Sequence, residues 1–99
     1  MNDPEILKEN ILTALQEVID PETGVDVVRM RLIENLEVNE EGVASYTFRP
    51  SSPVCPIAVT LAISIKNAVS AVEGVEYQEI TIKDYVGAEQ LSEYLSMMP

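Results

Sequence analysis

The chain has 99 residues, 17 acidic and 6 basic, with a net charge of -11 and 46% hydrophobic side chains. It is therefore sized for a single two-layer domain over 1–99 and is too apolar for disorder. Its basic residues are scattered along the sequence, which makes nucleic acid and anionic membrane poor partners; the bland reading of the charge is solubility. One cysteine forms no internal disulfide, and the lack of any histidine removes Cys-His and Ser-His nucleophile pairs together with the commonest zinc ligand. There is no run of about 18 apolar residues and no basic-then-apolar start resembling a signal peptide, so a cytoplasmic location is expected.

Asp3-Pro4-Glu5 reads as an N-cap, a first-turn proline and an early acid. Leu7, Ile11, Ala14, Leu15 and Val18 follow at helical spacing, predicting a helix from Pro4 to about Ile19 that Pro21 ends. Asp20-Pro21-Glu22-Thr23-Gly24 carries turn chemistry for an exposed loop.

After a short irregular stretch, Leu32, Leu36 and Val38 alternate with Ile33, Asn35 and Glu37. This predicts a strand whose inner face is interrupted only by Glu34. Across Asn39-Glu40-Glu41-Gly42, a second strand places Ala44, Tyr46 and Phe48 on one face, forming a hairpin with the first.

From Pro56 to Val72 the stripe Ile57, Leu61, Ile65, Ala68 and Val72 predicts the strongest helix, with Gly74 as its C-cap. Val59 and Ile63 fall on the far side of that helix and need a cover. A third strand is expected over Val75 to Lys83 with Ile80 and Ile82 facing in, then a short helix on Leu91, Tyr94, Leu95 and Met98. That last helix has three candidate seats: the open side of the sheet, the Val59 and Ile63 surface, or a second subunit, with its own domain the default. The order α-β-β-α-β-α predicts an α+β two-layer sandwich, with a small three-stranded mixed or antiparallel sheet and the first two helices on one face.

The candidate chemistry lies in loops at element ends, where sites are usually built. Cys55, in Ser51-Ser52-Pro53-Val54-Cys55-Pro56, precedes a helix that Pro56 is expected to start. At or beside that N-cap, free amides and the helix dipole would favour thiolate over thiol, below the ordinary value of about 8.5. Asp20 and Glu22 could carry a proton or ligate a cation, and Ser51 and Ser52 could donate hydrogen bonds to a sulfur or oxyanion. Each residue also has a plainer role: a small buried hydrophobe for Cys55, turn or capping residues for Asp20, Ser51 and Ser52, a solvated acid for Glu22.

Taken together, Asp20-Pro21-Glu22, the stretch Gly24-Val25-Asp26-Val27-Val28 leading into Leu32-Ile33, and Ser-Ser-Pro-Val-Cys-Pro before a helix resemble the SufT/PaaD-like family of iron–sulfur cluster assembly factors. The resemblance covers about residues 5 to 83. It implies a small α+β fold and a role in cluster assembly or transfer, served by Asp20, Glu22, Ser51, Ser52 and Cys55, with Cys55 as a transient or shared contact for iron or an iron–sulfur cluster. Its partners would be a cluster scaffold or recipient apoproteins, and its state that of a monomer, a homodimer or a module fused to others. The chain departs from the family pattern at Ser51 and Ser52, where many members have threonines, and at Arg31 and Val54, where members commonly have glycine; it also lacks a Trp-Pro-rich segment after the third strand. Two other readings stand beside this one. A protein-binding adaptor without chemistry would dock through Val59, Ile63 and the last helix. A thiol-dependent enzyme would have to use Asp20 or Glu22 as base, which is uncommon without histidine and makes catalysis the less favoured reading.

Overall fold

The structure is a computed structural model and describes residues 3–54 and 56–97. Its elements run α1 (Pro4–Leu15), β1 (Ile33–Val38), β2 (Val43–Phe48), α2 (Ala58–Ser70), β3 (Tyr77–Ile82) and α3 (Ala88–Met97), the order expected from the sequence. β2 is the central strand; β1 pairs with it antiparallel and β3 parallel, so the sheet is mixed. Parallel neighbours need a long crossover, and α2 is that crossover. α1 and α2 pack together on one face of the sheet. Leu7, Ile11 and Leu15 of α1 and Leu61, Ile65 and Val69 of α2 meet Ala44, Tyr46 and Phe48 of β2 in one buried cluster. Fully burying each large side chain there is worth about 1.5–3 kcal/mol.

α1 begins as predicted, with the Asp3 carboxylate accepting from the Glu5 N–H at 2.9 Å. It ends at Leu15 instead of near Ile19. The reason is a small antiparallel pairing: Val27 N–H donates to the Val18 carbonyl at 3.0 Å, Asp20 N–H to that of Val25 at 2.9 Å, and Ile19 bridges Asp26. The Val18 carbonyl and the Asp20 N–H are spent across the loop and are lost to a helix. The same pairing buries Val27 completely in the stretch that looked irregular.

The hairpin forms as expected. The Asn39 side chain accepts from the Glu41 N–H at 2.9 Å and the Val43 N–H at 3.0 Å, and Gly42 turns the chain at φ +85°. β1 departs from simple alternation because Asn35 adopts φ +55° and adds one residue between Glu34 and Glu37. A bulge reverses side-chain parity. Ile33 therefore stands opposite Phe48 on the core side, and Glu34 stands opposite Thr47 on the outer face instead of interrupting the inner one.

α2 is shorter than its hydrophobic pattern. It starts at Ala58 with Ile57 as N-cap and closes at Ala71, so Pro56 lies before the helix and Gly74 (φ +103°) beyond its cap. The buried stripe is Ala58, Leu61, Ala62, Ile65 and Val69, rotated from the expected one; Ile57, Ala68 and Val72 are only partly covered. Ile80 and Ile82 pack against the core as predicted. α3 lies against β3 and α2 with Leu91 and Leu95 buried, and the Lys66 ammonium donates to the Leu95 carbonyl. It partly covers Ile63 and leaves Val59 42% exposed. Tyr94 is exposed, and Met98 lies outside the described residues. No helix is long and apolar enough to cross a membrane among the described residues.

A polar network ties β3 to α2. The Tyr46 hydroxyl donates to Gln78 Oε1 at 2.7 Å, and Gln78 Nε2 donates to the Lys66 carbonyl at 3.0 Å and to Ser70 Oγ at 2.8 Å. Burial raises the Tyr46 ionisation above the ordinary phenol value. The folded protein then keeps this proton where the unfolded chain releases it, so its contribution is complete below about pH 10 and is lost as pH rises further. Tyr46→Phe should cost about 1 kcal/mol near neutrality through the lost hydrogen bond. It should also flatten the alkaline decline. Urea unfolding across neutral and alkaline pH measures both, and an equally steep decline in the variant would assign the loss elsewhere.

Candidate functional site

The Asp20–Gly24 loop is organised by Asp20. Its carboxylate accepts from the Glu22 N–H at 2.8 Å and its carbonyl from the Gly24 N–H at 2.8 Å, an Asx-type turn closed on itself. Asp20 is only 3% exposed. Glu22 is exposed on the same turn.

The Ser51 loop leaves the end of β2. Ser52 Oγ accepts from the Val54 N–H at 3.3 Å, so it caps its own turn and not α2, whose N-cap Ile57 makes no side-chain cap bond. Position 55 therefore precedes the N-cap by two residues, farther from the helix start than Pro56 at the first helical position would have put it. Cys55 itself lies outside the described residues, so the expected thiolate contact does too. Ser51 is exposed and lines an open groove of about 610 Å³ together with Met30, Arg31, Arg49, Asp84 and Tyr85. The Val86 N–H donates to the Pro53 carbonyl at 2.9 Å, fixing residues 84–87 as the opposite wall.

The two loops meet through Met30. Thr23 Oγ1 lies 3.3 Å from Met30 Sδ, and Met30 lines the groove that Ser51 lines. Asp20 and Glu22 are not themselves among that groove's walls. The acid loop thus touches the groove through Thr23 and Met30, while Ser51 lines it. Among the described residues, no group of three or more His, Cys, Asp or Glu side chains is assembled to hold a metal ion.

The fold also gathers charge that the sequence disperses. Arg49 N–H donates to the Leu32 carbonyl at 2.8 Å and Lys83 N–H to that of Phe48 at 3.0 Å, so Arg31, Arg49 and Lys83 come to one end of the sheet. Three of the six basic residues are therefore neighbours, which corrects the scattered distribution read along the chain. Arg49 pairs with Glu34 at 3.4 Å and with Asp84 at 3.7 Å. Thr23, Met30, Arg31 and Arg49 are the site neighbours that sequence reasoning passed over. Strand pairing across about 17 intervening residues, and not any local pattern, brings Arg31 and Arg49 together.

An α+β sheet carrying these two loops at element ends matches the iron–sulfur cluster assembly protein family across residues 8–82. The chain belongs to that family. It is 36% identical over 90 residues to the uncharacterized protein MJ1129 of Methanocaldococcus jannaschii, covering 91% of this chain and 95% of the relative. It is 37% identical over 78 residues to the Fe-S protein maturation auxiliary factor YitW of Bacillus subtilis, covering 79% and 76% of the two chains. In structure it is similar to a domain of unknown function, DUF59, from Bacillus anthracis, with a TM-score of 0.74, 25% identity and 96% of each chain covered.

Proposed function

We propose that the protein, with residues 1–99 working as one unit, is an accessory factor that passes iron or a nascent iron–sulfur cluster to recipient proteins. Cys55 is the contact atom; Asp20, Glu22, Ser51 and Ser52 form its surroundings. The reading is carried by one observation: the matched region spans both motif loops, and the Thr23–Met30 contact joins the acid loop to the groove beside Ser51. It gains support from relatives named as Fe-S protein maturation auxiliary factors.

The cluster here is cargo. Iron–sulfur clusters ordinarily take four protein ligands, and a chain with one cysteine supplies one thiolate, so the other ligands come from the scaffold, the recipient or a second copy. Held by one ligand, the cargo leaves readily. Hydroxyls at Ser51 and Ser52 suit a role as hydrogen-bond donors to sulfide, which tune a cluster without holding it. The carboxylates of Asp20 and Glu22 are hard ligands better suited to ferrous iron than to sulfide.

Anaerobic incubation of the full chain with ferrous iron and sulfide, followed by transfer to an apo-ferredoxin, tests this. Wild type should show visible charge-transfer absorbance or faster ferredoxin maturation, and Cys55→Ala should show neither. Equal maturation by Cys55→Ala would remove the contact role.

An adaptor without chemistry is the second reading. It is favoured by Val54, Val59, Val86 and Tyr94, which are 42–73% exposed, three of them around a shallow groove of about 430 Å³. Under it, Val59→Asp would abolish partner capture and Cys55→Ser would leave it intact.

A further inference from the structure

Arg31 occupies a backbone position that arginine fills at a cost. Asp26 opens a single helical turn by accepting from the Arg29 N–H at 3.0 Å and, through its carbonyl, from the Met30 N–H at 3.1 Å. The turn closes with Leu32 N–H on the Val27 carbonyl and Arg31 N–H on that of Val28, both at 3.1 Å. Those two bonds define a Schellman closure with Arg31 at the left-handed position, φ +59°, where glycine is the ordinary occupant. Strain of this kind persists where the side chain has other work.

The guanidinium stands exposed on the groove and, among the described residues, has no ion pair, whereas Arg49 on the same groove is already shared between Glu34 and Asp84. Ser51 adds a hydroxyl to the same wall. On a chain of net charge -11 this end of the sheet carries three of the six basic residues, with the Glu34 and Asp84 carboxylates held on Arg49. A neighbouring apolar groove, walled by Val59, Leu91 and Tyr94, shares Tyr85 and Val86 with the Ser51 groove. A small oxyanion would meet the arginines and leave that apolar half wet. A peptide with an acidic side chain followed by large apolar ones covers both.

We infer that Arg31, with Arg49 and Ser51, reads a carboxylate on an extended acidic–apolar segment of a protein partner, whose apolar side chains continue over Tyr85 and Val86 to Val59 and Tyr94. The inference rests on the proposed delivery role and names the chemistry of the recipient or scaffold segment that docks. A guanidinium presents a planar fork of N–H donors matched to a carboxylate, which gives direction as well as charge. The apolar half supplies burial, and the two together set polarity along the groove.

The test uses metal-free full-length protein and a phage library of random octapeptides flanked by glycines, so that cluster handling has no part in the readout. Selection should enrich aspartate or glutamate beside leucine, isoleucine or phenylalanine. The enriched peptide, synthesised with blocked ends and labelled for anisotropy, should bind Arg31→Gly about tenfold more weakly or worse, as for loss of a charge-assisted bond. Val59→Asp should weaken it as well, and added salt should weaken wild type but not Arg31→Gly. Because glycine relieves the left-handed strain, the melting temperature of Arg31→Gly should equal or exceed that of wild type. No enrichment, binders without a carboxylate, undiminished binding to Arg31→Gly, or a lower melting temperature in that variant would each overturn the assignment. A Cys55→Ala protein that still delivers clusters would end the contact role and leave this result untouched.

Discussion

Gly42→Ala is expected to destabilise the protein by about 3 kcal/mol, counting about 1 for a left-handed alanine and the rest for a steric conflict and a lost hydrogen bond. For a domain of this size that lowers the melting temperature by roughly 12 °C or more. A methyl group at Gly42 would collide with the Gly74 carbonyl oxygen and crowd the Glu76 amide nitrogen at 3.3 Å. The collision is backbone against backbone, so no rotamer change relieves it. Separating the two segments would also break the bond from Glu76 N–H to the Gly42 carbonyl, 2.9 Å long, which starts the parallel pairing of β3 with β2. Gly24→Ala is the control: Gly24 also has positive φ, +72°, but nothing within 4 Å of a built Cβ. It should lose only the conformational part, about 1 kcal/mol. Thermal melts of the two variants measure the difference, and equal losses would show that the close approach of the hairpin to Gly74 carries no energy.

Asp20 separates a structural from a chemical use of one carboxylate. Asp20→Ala removes the buried side chain that accepts from the Glu22 N–H and should cost about 2 kcal/mol. Asp20→Asn keeps an oxygen in the same place and forms the same turn, so its stability should stay close to wild type. The proposed handling of iron needs the charge, and Asp20→Asn should therefore lose ferrous iron uptake while melting normally. Uptake equal to wild type in the asparagine variant would reduce Asp20 to a turn former. Since the acid loop touches the groove through Thr23 and Met30, and not through Asp20 itself, this pair of variants is the direct measure of whether the acids act at the groove or only shape its rim.

Element order, the hairpin and the apolar content of both long helices were legible in the residues because each rests on short-range chemistry. Asp3 with Pro4 starts α1, Asn39 with Gly42 turns the hairpin, and period-two alternation marks β2. Misplaced boundaries came where distant backbone competes for amides. Val18 and Ile19 read as helix from side-chain spacing, yet the Val18 carbonyl accepts from Val27 and Ile19 bridges Asp26. The bulge at Asn35 was equally silent, since asparagine tolerates left-handed backbone without requiring it. Of the candidate site, the two loops were visible as motifs, while their meeting point at Met30 and the arginines facing Ser51 were not.

Local composition by itself determined that a small α+β sheet forms, which residues line its core strand, and that Asp20 and Glu22 fall in a loop beyond α1. Only tertiary structure decided that the sheet is mixed, that α2 opens after Pro56, and that Arg31 and Arg49 share a groove with Ser51. The physical reason is range. Propensity, capping and turn chemistry act over about four residues, whereas strand register and charge proximity are set by closing loops many times longer, where the winning arrangement is the one that buries the most apolar surface with its backbone amides satisfied.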